Sequence, residues 1–238
     1  MTKLFRSTVM AAAMVLGAWG LGVAPAAAAT LTSTSATVTT ADTGFSWTVN
    51  FICSSALPCN GDPGQTLTGS ATFTLTSVAV GLNTRWYFSL TLANTSAPGV
   101  AGALTAMGFN ADPNAYMGGF TDDASDGIQF TGGAGGAAGI PGFQTELCVW
   151  DGNNCQSANQ QSMTAGTSNT MYFRLRTNGT GNPLLLDNFA VKYAGSGLPG
   201  SYEFGGTIPS PVPLPAAGGL LLVGLGGLVA LRRKQKAA

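Results

Sequence analysis

The sequence predicts an all-β body, an antiparallel β-sandwich with jelly-roll-like connections, flanked by an N-terminal signal peptide and a C-terminal hydrophobic helix. Three observations carry this. Apolar and polar residues alternate with period two through the middle of the chain, 34 Gly and 12 Pro punctuate it, and no window there shows a capped 3.6-residue stripe. Period two buries one face of a strand and wets the other. Thr-rich outer positions suit extended backbone as well.

In chain order, residues 1–29 form a secretory signal. Lys3 and Arg6 supply the positive start, Val9 to Ala24 is apolar, and Pro25 with Ala26–Ala29 presents small residues for cleavage by signal peptidase just before Thr30. Residues 30–194 form the β domain. Its strands are read from Phe45, Trp47, Val49 and Phe51; from Leu67, Gly69, Ala71, Phe73 and Leu75; from Trp86, Phe88, Leu90 and Leu92; from Met171, Phe173 and Leu175; and from Leu185, Phe189, Val191 and Tyr193. The Gly-rich run Gly132 to Gly142 reads as a loop. Residues 195–211 read as a Gly/Ser/Pro-rich stalk, with a short last strand near Tyr202–Phe204. Residues 212–238 close the chain with Val212-Pro213-Leu214-Pro215-Ala216, the apolar run Ala216 to Leu231, and a basic tail of Arg232, Arg233, Lys234 and Lys236. Sixteen helical residues span about 24 Å, a marginal crossing of a ~30 Å hydrocarbon core. The basic tail is expected on the cytoplasmic side, which leaves the body outside.

This closing pattern resembles the Val-Pro-Leu-Pro-Ala variant of the PEP-CTERM sorting signal. The resemblance covers about the last 27 residues, and the Pro-Glu-Pro of the commonest pattern is absent. It implies a bacterial surface protein cut near the motif by an exosortase-type membrane protease, and an association with exopolysaccharide or biofilm. Physically, proline keeps the segment outside the membrane extended and open to a protease.

Charge is divided unevenly. The chain has ten basic and ten acidic residues, but between the two terminal segments only Arg85, Arg174, Arg176 and Lys192 oppose all ten acids, a net charge of −6. A negative, sparsely charged body disfavours anionic nucleic acid or lipid headgroups as partners. The chain has no His, which excludes Ser-His-Asp and Cys-His catalysis and any imidazole zinc site.

Four cysteines in an exported chain allow three disulfide pairings. Cys53–Cys59 and Cys148–Cys155 are favoured, because each pair brackets a turn-rich segment. Gaps of five and six residues argue against a four-thiolate zinc site. Asp122, Asp123 and Asp126 are the densest acidic cluster and the candidate for Ca²⁺, although their spacing fails the helix-loop-helix calcium pattern and suits a solvated turn. Glu146 and Asp151 could act as a glycosidase pair only if the fold brought them to ~5–9 Å. Trp47 and Trp86 fall on apolar faces, which leaves Trp150 as the candidate for stacking on a sugar ring. The expectation is a non-catalytic, secreted cell-surface or matrix protein without a cofactor. The alternatives are a carbohydrate- or calcium-binding module and, more remotely, an extracellular glycosidase.

Overall fold

The computed structural model describes residues 29–57, 59–122, 127–134, 139–156, 163–181 and 183–209. The signal segment up to residue 28, Asp123, Asp126, the sorting motif and the basic tail lie outside them. Every regular element among the described residues is a strand: β1 (Thr30–Leu31), β2 (Ser35–Val38), β3 (Ser46–Cys53), β4 (Leu67–Ala79), β5 (Asn83–Asn94), β6 (Ala103–Asp112), β7 (Ala115–Asp122), β8 (Thr131–Ala134), β9 (Leu147–Trp150), β10 (Ser168–Asn178), β11 (Leu184–Ala194) and β12 (Tyr202–Thr207). Among these residues no helix is long and apolar enough to cross a membrane.

The strands pair antiparallel in the order β7-β10-β5-β4-β3-β12-β11-β6-β9-β8, with β2 joined to β11 and β1 to β2. The sheet bends into two leaves and nearly closes as a barrel. β12 joins the leaves, pairing its first part with β11 and its last two residues with Phe51 and Asn50 of β3. The folded unit therefore runs past residue 194, through Ile208. The stretch from 195 holds the short strand expected near Tyr202–Phe204, which extends to Thr207 and lies at the centre of the sheet, so that part of the 195–211 segment is not a stalk. At the opposite side of the ring β7 lies beside β8. There Phe120 covers Gly132, and Asp122 Oδ2 accepts the Phe130 N–H at 2.6 Å. Gly132–Ala134 thus belongs to a strand, which corrects the loop reading of the Gly-rich run at its start.

Alternation builds the core. Trp47, Val49 and Phe51 of β3, Phe73 and Leu75 of β4, Trp86, Phe88 and Leu90 of β5, and Phe173 of β10 all point inward and are buried. Phe73 stacks on Trp47 at 5.2 Å and meets Phe109 and Phe189 of the other leaf at 5.5 and 5.6 Å. The outward face of the same leaf carries hydroxyls, with Thr48 bonded to Thr72 and Thr91 to Thr170.

In β11 the phase slips. Leu184 and Leu186 are buried and Leu185 is only half-buried, whereas Phe189, Val191 and Tyr193 point inward. A bulge between Asp187 and Ala190 inserts one residue, and Asn188 takes up the turn with φ 51°. One extra residue exchanges the faces of everything after it.

The outer face of the other leaf is covered instead of wetted. Gly205, Ala190, Gly108, Cys148 and Gly133 form a row of small residues across β12, β11, β6, β9 and β8. Residues 139–146 lie on that row. Ile140 packs with Ala106, Cys148, Cys155 and Ala190 in a second buried cluster. The disulfides Cys53–Cys59 and Cys148–Cys155 close short loops with Cα separations of 5.6 and 6.4 Å, inside the ordinary range. Each contributes roughly 2 kcal/mol in the chain-entropy account.

Candidate functional site

The ladder registers assign each loop to one of two poles. At the basal pole lie the β4–β5 hairpin tip, the ends of β10 and β6, the starts of β7 and β11, and the described N-terminal end, whereas β12 ends beside Asn50, midway along β3. The Ala29 N–H donates to Asp42 Oδ1 beside the start of β3, and the Ile208 N–H donates to the Ser33 carbonyl as β12 runs toward this pole. The distal pole carries the Cys53–Cys59 loop, the Asp122 end of β7 and the Asp151 end of β9.

Among the described residues the basal pole carries most of the exposed basic charge. Ala79, Arg85, Arg176 and Tyr116 are direct partners across β4, β5, β10 and β7. The Arg176 guanidinium lies 5.7 Å from the centre of the Tyr116 ring. Arg174, the third described arginine, follows one step up the same face and lies against Gly118, whose missing side chain gives it room. Among the described residues none of the three arginines has a carboxylate partner. Beside this row the hairpin tip exposes Val80 (58%) and Leu82 (93%). Sequence reading missed this pole, and the signal that could have found it is two aliphatic residues inside a turn, Val80-Gly81-Leu82-Asn83, close before Arg85.

Lys192, the fourth body cation, is buried on the outer face of β11. It sits directly opposite Glu203 of β12 and donates to the Gln156 carbonyl. Burial lowers its pKa, and the charge of Glu203 partly restores it. Glu203 Oε2 in turn accepts from Asn60 Nδ2 at 3.0 Å. The pair straps the distal loops onto the sheet.

The chain matches no family model, no curated protein and no solved structure.

The residues singled out from sequence are dispersed. Asp122 ties the β7–β8 seam, accepting from Phe130 N and, at 3.1 Å, from Asn169 Nδ2. Its Oδ1 and the Asn169 Oδ1 are buried without a hydrogen-bond partner. Among the described residues no three His, Cys, Asp or Glu side chains gather into a metal site. Trp150 is half-buried against the Cys148–Cys155 cluster and lies over Gly133, so its ring packs on the protein instead of standing clear. Glu146 and Asp151 flank the four residues of β9, which at ~3.3 Å per residue puts their backbones about 16 Å apart, with Asp151 buried and Glu146 exposed. That spacing does not make a glycosidase pair. Three surface depressions of 380 to 430 Å³ open along the described residues, and none holds two ionisable side chains.

Tyr193 is the strongest titrating feature inside the barrel. Its hydroxyl donates to the Thr68 carbonyl at 2.6 Å, and burial raises its pKa well above the ordinary value, with Ser96 pulling the other way. The folded state therefore holds the phenol proton where the unfolded chain loses it. Its contribution is complete below pH ~10 and declines as pH climbs above that value. Lys192 has the opposite slope, adding stability as pH approaches ~10.4 from below. Replacing Tyr193→Phe is expected to flatten the loss of stability above pH ~10, read from denaturant midpoints across the alkaline range. An unchanged slope would assign the alkaline loss to other groups.

Proposed function

We propose that this chain is an exported bacterial cell-surface or extracellular-matrix protein. In this reading it is sorted and cleaved at its C-terminal signal, associated with exopolysaccharide, and acts by binding, not catalysis. The observation that carries the reading is the pair of terminal segments, a cleavable apolar leader ending at Ala29 and the Val212–Ala216 motif followed by an apolar run and four basic residues. The arrangement of strands is compatible with both cuts. β1 begins at Thr30 and β12 ends at Thr207, so neither cleavage removes a described strand. Two short-loop cystine pairs suit an oxidising compartment. We assign the body to the jelly-roll-like sandwiches, since the chain crosses between leaves after β2, β5, β6, β7, β9 and β10.

Cell fractionation with mass spectrometry of both ends tests the reading in a host that carries an exosortase. The expected product begins at Thr30 and ends near Ala216. Replacing Pro213→Ala together with Pro215→Ala is expected to leave the basic tail attached. Recovery of the whole chain from the cytosol, with Met1 intact, would overturn it.

A further inference from the structure

We propose that the outer face of the leaf formed by β3, β4, β5, β7 and β10 binds an acidic polysaccharide, its arginines taking ring carboxylates and its tyrosines the faces of the sugars. The inference deepens the exopolysaccharide reading and rests on it, naming the class of glycan and the surface that holds it.

The first argument is charge. These five strands contain one acid, Asp122. It stands opposite the buried Met171 and spends its carboxylate on the Phe130 N–H and Asn169 Nδ2, so it does not serve the outer face. Asp42, Asp112, Glu146 and Asp187 lie off these strands, in the β2–β3 turn, at the end of β6, ahead of β9 and in β11. The face itself carries Arg85, Arg174 and Arg176. Arg85 and Arg176 are direct cross-strand partners, and like charges so placed cost stability. Arg174 Nε is buried and has no hydrogen-bond partner among the described residues. An anion held across these guanidinium groups offsets the repulsion and supplies the missing acceptor. A planar carboxylate matches the guanidinium fork.

The second argument is what surrounds the arginines. Tyr116, 57% exposed, has the Arg176 guanidinium 5.7 Å from its ring centre. Arg174 comes to the same ring over Gly118, where a side chain would begin 3.3 Å from Tyr116 Cε1 and 3.4 Å from Arg174 Nη2. Tyr87 stands directly opposite Arg174, and the half-exposed Tyr172 follows on β10. Beyond them the face turns to hydroxyls, with Ser46 bonded to Thr74, Thr48 to Thr72 and Thr91 to Thr170. Tyrosine rings offer apolar area to a sugar face, and paired hydroxyls keep bonding capacity for sugar hydroxyls. From the Arg176 row to the Thr170 row, six residues of β10 cover about 20 Å at ~3.3 Å each, room for a chain of several sugars.

The same inventory disfavours other occupants. Among the described residues, the outward positions of β4, β5 and β10 between those rows hold Arg, Tyr, Ser, Thr and Ala and no large aliphatic side chain, whereas a protein interface has an apolar centre. Duplex DNA carries a charge every ~1.7 Å of its axis, and a body of net charge −6 repels it more than three arginines attract it. A glycan with at most one carboxylate per sugar is a sparser anion and draws on neutral contacts as well.

The test titrates the full chain, in uncharged detergent, with polygalacturonate, alginate and hyaluronan, each beside its methyl ester, and with duplex DNA. The expected result is salt-sensitive binding to at least one acidic glycan and none to its ester. Arg174→Gln with Arg176→Gln is expected to weaken that binding about tenfold or more. Tyr116→Ala weakens it and Tyr116→Phe retains it, while Glu146→Gln on the other leaf changes nothing. The ester comparison uses the parent chain alone, so it stands whether or not a variant folds. No binding to any of the three glycans, equal binding of acid and ester, or duplex DNA held as tightly as the best glycan overturns the inference. Such a result with a mature chain running from Thr30 to near Ala216 leaves export and sorting standing, whereas a whole cytosolic chain overturns the reading beneath both.

Discussion

Replacing Phe73→Ala is expected to cost about 3–5 kcal/mol of folding stability, the range for deleting a large buried aromatic side chain. The reason lies in what the ring joins. Phe73 belongs to β4, yet it is stacked on Trp47 at an interplanar angle of 5° and touches Phe109 and Phe189 from β6 and β11. Its removal opens a cavity between the two leaves where four aromatic rings meet, and aromatic neighbours fill such a gap poorly. Denaturant unfolding followed by intrinsic fluorescence measures the loss. Tyr172→Ala on the outer face of β10, half exposed, is the control and is expected to stay within ~1 kcal/mol. Equal losses at the two positions would refute a core shared by both leaves.

Gly108→Val is expected to cost about 2–4 kcal/mol, through overpacking and the loss of a buried hydrogen bond together. A side chain at Gly108 would begin 2.8 Å from Thr145 Cβ and 3.0 Å from Ile140 Cγ1. The obstacle is fixed, because Thr145 Oγ1 accepts the Ile140 N–H at 2.8 Å and both residues are buried. Relief requires lifting residues 139–146 from the sheet, which would expose Ile140 and Phe143. Limited proteolysis should then cut that segment in the variant and spare it in the parent. A variant as stable and as resistant as the parent would show that the segment does not rest on the small-residue row.

That row also explains which strands were legible in the sequence. β3, β4, β5 and β10 have one wet face, so Trp47, Phe73, Phe88 and Phe173 stand out at every second position. β6 is covered on both sides, by the core and by residues 139–146, and Ala103 to Phe109 are all buried. No alternation survives there, and the strand leaves no periodic trace. In β7 a bulge near Gly119, at φ 61°, breaks the pattern, and in β11 the bulge at Asn188 shifts it. The cystine pairings were legible because each pair spans a short turn. The basal pole was not, since Arg85, Arg176 and Tyr116 lie far apart in sequence and meet only through the registers of three strands.

The position of β12 imposes an order of events on a chain that emerges N-terminus first. β3 and β11 both wait for residues 202–207, the last described strand to emerge, before their facing edges are occupied. Until then two half-finished sheets stand with bare backbone toward each other, open to pairing with neighbouring molecules. Maturation is thus deferred until residues 202–207 are free to pair, and a chain halted at Ser201 would be aggregation-prone despite carrying every other described strand.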